Sequence, residues 1–119
     1  MLKVGIAGIG FMGMIHYLSY QRVKGARVVA LCEQDKTRLA GDWRSIQGNF
    51  GPRGEIMDLS GVAKYEDLDQ LLADKNIDLV DICLPTAAHA PTATKALAAG
   101  KHVFCEKPIA LTTGEANKM

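Results

Sequence analysis

The sequence predicts an α/β domain built on a doubly wound parallel sheet. Three observations carry that prediction. Short, almost wholly apolar runs recur along the chain, helical patterns separate them, and glycines mark the joins. At 119 residues the chain is one domain by length, and such a chain buries roughly two-thirds of the surface its unfolded form exposes. Its 48% hydrophobic and 23% charged residues are those of a globular protein.

The elements follow in order. Leu2 to Ile9 is apolar and ends at a glycine, as a strand buried on both faces does. From Met12 to about Val23 the pattern turns helical, with Gly25 as the stop. Arg27 to Cys32 is a second apolar run, so the opening reads strand, helix, strand. Asp35 can cap a second helix in which Leu39, Trp43, Ile46 and Phe50 form one face at helical spacing, which makes Trp43 a core residue. Gly48 to Gly61, rich in glycine and holding Pro52, reads as a long surface loop, with flanking a ligand or meeting another subunit as alternatives.

Val62 to Tyr65 follows as a short third strand, and Leu68, Leu71 and Leu72 mark one face of a small helix. Ile77 to Leu84 is the fourth strand. Pro91 suits the first turn of the next helix, and Gly100 suits its end. His102 to Cys105 is the fifth strand, and Thr112 with Glu115 has capping-box spacing for one more helix. Five strands are expected where the usual dinucleotide-binding sheet has six, so the fifth is expected to be an open edge that promotes self-association.

Composition excludes several classes of function. A net charge of +1 argues against an electrostatic partner such as nucleic acid or a membrane surface. The apolar start from Met1 to Met14 contains motif-spaced glycines and no cleavage site, so it reads as mature structure and not a signal peptide. No apolar run is long enough to cross a bilayer. Three cysteines without Cys-x-x-Cys spacing suggest neither a metal site nor a disulfide framework, and they fit best as small packed hydrophobes in a reducing cytoplasm.

The chemistry starts at the first strand-to-helix turn. Gly8-Ile9-Gly10-Phe11-Met12-Gly13 has the spacing and placement of a dinucleotide fingerprint. Gly8 permits the tight turn, Gly10 lets backbone approach a pyrophosphate, and Gly13 lets helix and strand pack closely. Backbone N–H groups and the positive end of the helix then hold the anion. Glu33 stands 20 positions beyond Gly13, where an acid accepts the ribose hydroxyls of NAD and repels a 2′-phosphate. Lys36 and Arg38 nearby would soften that repulsion and admit NADP, so NAD is the expected cofactor with NADP as the alternative.

A second constellation, Gly100-Lys101-His102-Val103-Phe104-Cys105-Glu106-Lys107-Pro108, lies at and beyond the fifth strand. Together with the glycine turn, Glu33, Leu84-Pro85-Thr86 and His89, it resembles the N-terminal Rossmann domain of the glucose-fructose oxidoreductase, inositol dehydrogenase and rhizopine-catabolism (Gfo/Idh/MocA) family. The resemblance spans nearly the whole chain, and Glu106-Lys107-Pro108 after Gly100-Lys101-His102-Val103 is its most specific part.

The resemblance implies a catalytic Lys107 that positions substrate and assists proton transfer, with Glu106 at the cofactor and Pro108 fixing the backbone. A lysine beside a bound cation, partly desolvated, releases its proton more readily than a free one. Pro85 and Thr86 match the loop beneath the nicotinamide ribose, although relatives often carry Asn at the Thr86 position. His89 matches a family histidine and implies cofactor contact, while a histidine at a helix start also commonly packs or caps. His16 fits the family pattern on the first helix and reads as structural.

Family enzymes continue into a second domain that supplies most substrate contacts. The implied reaction is hydride transfer between a sugar or polyol-like CH–OH group and nicotinamide, by a homo-oligomer, and this chain alone is expected to turn over poorly. An NAD-using glycoside hydrolase and a non-catalytic nucleotide-binding module remain the alternatives.

Overall fold

The computed structural model describes residues 1–48 and 51–105. It contains β1 (Leu2–Ala7), α1 (Phe11–Tyr20), β2 (Ala26–Cys32), α2 (Lys36–Leu39), β3 (Ala63–Tyr65), α3 (Leu68–Leu72), β4 (Leu79–Ile82), a 3-10 turn (Thr86–Ala88), α4 (His89–Ala98) and β5 (His102–Cys105). The five strands form one parallel sheet in the order β3-β2-β1-β4-β5. The expected doubly wound α/β class is therefore present, with β5 at one edge of the sheet.

Strand alternation divides the core in two. Val4 and Ile6 of β1 with Val28 and Leu31 of β2 pack beneath Met14 and Tyr17 of α1. Ala7, Val29, Ala30, Val80 and Ile82 face the other way, against Leu71 and Leu72 of α3 and Ala93 and Ala96 of α4. Strands covered on both faces need apolar side chains in both directions, which is why these segments read as unbroken apolar runs.

The second helix departs from the periodic expectation. Asp35 caps it as predicted, its carboxylate accepting the N–H groups of Thr37 and Arg38, yet α2 ends at Leu39. Gly41 then takes φ +108°, and the chain reverses into an irregular antiparallel pairing. Met57 N–H donates to Gly41 O, Trp43 N–H to Glu55 O, and Gly54 N–H to Ile46 O. Trp43 and Ile46 are still buried in the core, so the apolar spacing reports burial correctly but not helix. Phe50, Thr112 and Glu115 lie outside the described residues.

The long loop is consequently held to the body of the domain. A Cβ on Gly54 would collide with the Trp43 carbonyl, and one on Gly48 would come within 2.6 Å of the Phe11 ring. The segment returns across the first residue of α1 because glycine permits that close approach.

Candidate nucleotide-binding site

The strand order reverses direction between β1 and β4, since β1 leads outward to β2 and β4 leads outward to β5. Loops leaving the carboxyl ends of such neighbouring strands diverge to opposite faces and leave a crevice. A cleft of ≈ 720 Å³ occupies that place, lined by Gly8 to Met12 after β1, Cys32 to Gln34 after β2, and Cys83 to Pro85 after β4. Arg38, Glu66, Leu68 and Ala88 complete its wall.

The three fingerprint glycines separate into different physical roles. Gly8 sits at φ +97°, and a Cβ there would stand 2.7 Å from the Cys83 carbonyl oxygen. A Cβ on Gly13 would strike the Gly8 carbonyl oxygen, so that position is reserved for helix-to-turn packing. Gly10 has an ordinary φ of −100° and nothing within 4 Å of an added Cβ. Among the described residues no neighbour requires glycine at that position, and the open space is the kind a backbone-bound phosphate needs. Gly10 also caps α1 without a side-chain hydrogen bond, and no acidic residue occupies the first turn. The helix start is left positive and open to an anion.

Glu33 joins the turn to the end of β2. Its Oε1 accepts Ile9 N–H at 2.7 Å and its Oε2 accepts Asp35 N–H at 2.9 Å. A carboxylate has about four acceptor positions, so both oxygens retain capacity for ribose hydroxyls. Arg38 reaches the same turn from the other side, donating Nη1–H to Ile9 O at 3.0 Å. Its Nε is buried without a hydrogen-bond partner among the described residues, 3.9 Å from Asp35 Oδ2. The Ile9 peptide is thus clamped at its N–H by an acid and at its carbonyl by a base.

On the β4 side, Pro85 lines the cleft, whereas Thr86 begins the 3-10 turn behind it. His89 is 3% exposed, and its Nε2–H donates to Leu84 O at 2.8 Å. That bond holds the Leu84-Pro85 segment from beneath. Glu106, Lys107 and Pro108 lie outside the described residues. The strand before them, β5, pairs Cys105 with Ile82 of β4, which brings the end of β5 to the same end of the sheet as the cleft.

The cysteines are not alike. Cys32 is buried, and burial followed by the Glu33 and Asp67 carboxylates pushes its thiol up to about 11. Cys83 does not fit a purely packed role. Its Sγ donates to Asp81 Oδ1 at 3.4 Å and lies 3.3 Å from His16 Nδ1. Asp81, fully buried within β4, also accepts His16 Nδ1–H at 2.8 Å and Tyr20 O–H at 3.0 Å. Burial and the adjacent Asp81 carboxylate raise the Tyr20 phenol. Sequence spacing could not assemble this group because α1 and β4 are remote in the chain. One signal was nonetheless present, an aspartate between Val80 and Ile82 inside the apolar stretch from Leu79 to Leu84, since a charge there needs partners.

Comparison with known proteins agrees with this geometry. Residues 2–119 match the family described as GFO_IDH_MocA, oxidoreductase family, NAD-binding Rossmann fold. The chain belongs to that family and is its NAD-binding Rossmann domain. Inositol 2-dehydrogenase of Salmonella typhimurium is 34% identical over 121 residues, covering 99% of this chain and 32% of the relative. A glycosyl hydrolase family 109 protein of Shewanella sp. (strain ANA-3) is 35% identical over 114 residues, covering 96% of this chain and 24% of that protein. Scyllo-inositol dehydrogenase from Lactobacillus casei, solved with NAD(H) and scyllo-inositol, superimposes with a TM-score of 0.80 at 30% identity, over 98% of this chain and 31% of that one. The chain thus spans about a third or less of the length of these relatives.

Proposed function

We propose that this domain binds NAD for an enzyme that moves hydride between a sugar, polyol or cyclitol CH–OH group and the nicotinamide ring. The observation that carries the reading is the open space at Gly10, set at an uncapped helix start and tied through Ile9 to Glu33. The N–H groups at the start of α1 receive the pyrophosphate, and Glu33 receives the adenosine ribose. Phe11 and Met12 form the wall beside the pyrophosphate, and Pro85 with Thr86 underlies the nicotinamide end, held by the His89 bond to Leu84.

Bound NAD supplies the hydride acceptor. By family resemblance, Lys107 orients the substrate hydroxyl and handles its proton, Glu106 contacts the cofactor, and Pro108 fixes the backbone between them. The inositol dehydrogenases among the relatives support a polyol substrate, contacted mainly by residues outside this chain. Glu33 favours NAD, while Lys36 or Arg38, whose buried Nε has no hydrogen-bond partner among the described residues, would accommodate NADP.

Titration with NADH and NADPH, followed by Trp43 fluorescence and calorimetry, tests the reading. Trp43 is fully buried and donates its indole N–H to Arg38 O at 2.8 Å, so it reports on the cleft wall. Saturable binding with NADH preferred supports it, and no binding of either overturns it.

The Shewanella relative favours one second reading, an NAD-using glycoside hydrolase. Activity of the complete enzyme on glycosides and not on free polyols would select it. A non-catalytic nucleotide-binding role would instead leave NAD bound with no reaction on either substrate class.

We further propose a homo-oligomer in a reducing cytoplasm. The half-exposed Phe104 on β5 supports the oligomer, and three cysteines without Cys-x-x-Cys spacing support the compartment. No helix among the described residues is long and apolar enough to cross a membrane. A monomer in light scattering at high concentration would remove the oligomer.

A further inference from the structure

We propose that His16, Asp81 and Cys83 form a binding site for a divalent transition metal of the Zn²⁺ class, at the floor of the nucleotide cleft. Among the described residues these three are the one group of His, Cys, Asp and Glu side chains whose ligand atoms converge in this way, all within 4.8 Å of one another.

The spacing fits a tetrahedral ion. Zn–N and Zn–O bonds of about 2.0–2.2 Å and Zn–S bonds of about 2.3 Å give ligand-to-ligand edges of about 3.4–3.6 Å. Cys83 Sγ stands 3.3 Å from His16 Nδ1 and 3.4 Å from Asp81 Oδ1. His16 Nδ1 meets the other carboxylate oxygen, Asp81 Oδ2, at 2.8 Å, a hydrogen bond that an ion held by one oxygen of this carboxylate would replace, widening the approach toward the tetrahedral edge. Thiolate, imidazole and carboxylate are together a donor set suited to zinc.

The surroundings supply what a metal site requires beyond its ligands. Tyr20 O–H holds the Asp81 carboxylate at 3.0 Å, and Phe104 meets the His16 ring edge-on with centroids 5.7 Å apart. Outer groups of this kind fix the orientation of the ligands. Cys83 also lines the cleft, which gives an ion a route of entry. In the metal-free protein the same carboxylate is satisfied by donors from Tyr20, His16 and Cys83. On loading, the Cys83 S–H and His16 Nδ1–H protons pass to solvent, and sulfur, nitrogen and carboxylate oxygen bond the ion. Affinity therefore rises with pH, because the ion competes with those protons.

Co²⁺ titration of the reduced 119-residue chain is the test, since Co²⁺ reports both thiolate ligation and geometry. The expected result is a thiolate-to-cobalt band in the near ultraviolet with d–d bands of tetrahedral intensity, both abolished by stoichiometric Zn²⁺. Cys83→Ser should remove the thiolate band and Asp81→Asn should weaken binding at least about tenfold, while Cys32→Ser and Cys105→Ser leave the spectrum intact. Should a variant fail to fold, peptide mapping of the unaltered protein answers the same question, because bound Zn²⁺ must shield Cys83 from alkylation. Weak octahedral binding without a thiolate band, a band that survives Cys83→Ser, or unshielded Cys83 would each overturn the site.

Discussion

Glu33 Oε1 accepts the N–H of Ile9 at 2.7 Å, so the acid ending β2 and the glycine turn after β1 are one structural unit. The carboxylate proposed to receive the ribose thus also fixes the peptide between Gly8 and Gly10, where the backbone would approach a pyrophosphate.

Changing Glu33 to Ala should therefore act on both ends of the cofactor. Losing charged hydrogen bonds costs about 1.5–3 kcal/mol each, so NADH affinity should fall about tenfold or more. NADPH should lose less, because the repulsion toward its phosphate goes as well. Parallel titrations of the two cofactors measure the change in ratio; an unchanged ratio would show that Glu33 does not read the ribose.

Gly10 and Gly13 should separate binding from folding. A Cβ at Gly10 meets no described atom within 4 Å, so Gly10→Ala should leave the melting temperature nearly unchanged while weakening cofactor binding. Gly13→Ala collides with the Gly8 carbonyl and should destabilise the fold by about 1–3 kcal/mol. Thermal melts paired with titrations would expose any mixing of the two effects.

Alkaline pH should weaken the fold through Cys32. Its thiol is raised from 9.0 to about 11, so above pH 9 the unfolded chain releases a proton that the folded chain retains. The contribution is intact below pH 9 and is lost as pH rises to about 11, with a loss on the order of 2 kcal/mol. Tyr20, also raised by burial and Asp81, adds to the decline. Urea unfolding at the two ends of that window, repeated on Cys32→Ala, isolates the thiol's share.

Trp43 should be the most costly single truncation on the α1 face. It is fully buried, meets Tyr17 edge-on with centroids 5.1 Å apart, and bonds Arg38 O. Trp43→Ala should cost about 3–5 kcal/mol, and denaturant midpoints would measure it. Gly54→Ala, which drives a Cβ into the Trp43 carbonyl, should destabilise the same region without touching the cleft.

The sheet was legible in the sequence because strands buried on both faces leave continuous apolar runs, and the boundaries of β5 at His102 and Cys105 follow directly. The placement of the glycine turn and of Glu33 beside it was legible because it depends on fixed local spacing. By itself, then, the sequence determined the order of elements, the end of the sheet that carries the cleft, and the family. Tertiary structure decided what depends on partners remote in the chain. The periodic face from Leu39 to Ile46 became core without becoming helix, because Gly41 reverses the backbone and Trp43 N–H donates to Glu55 O. Asp81 became a buried hub because α1 lays His16 and Tyr20 over β4. Local patterns encode which side chains leave water; only packing decides which polar groups they meet when they do.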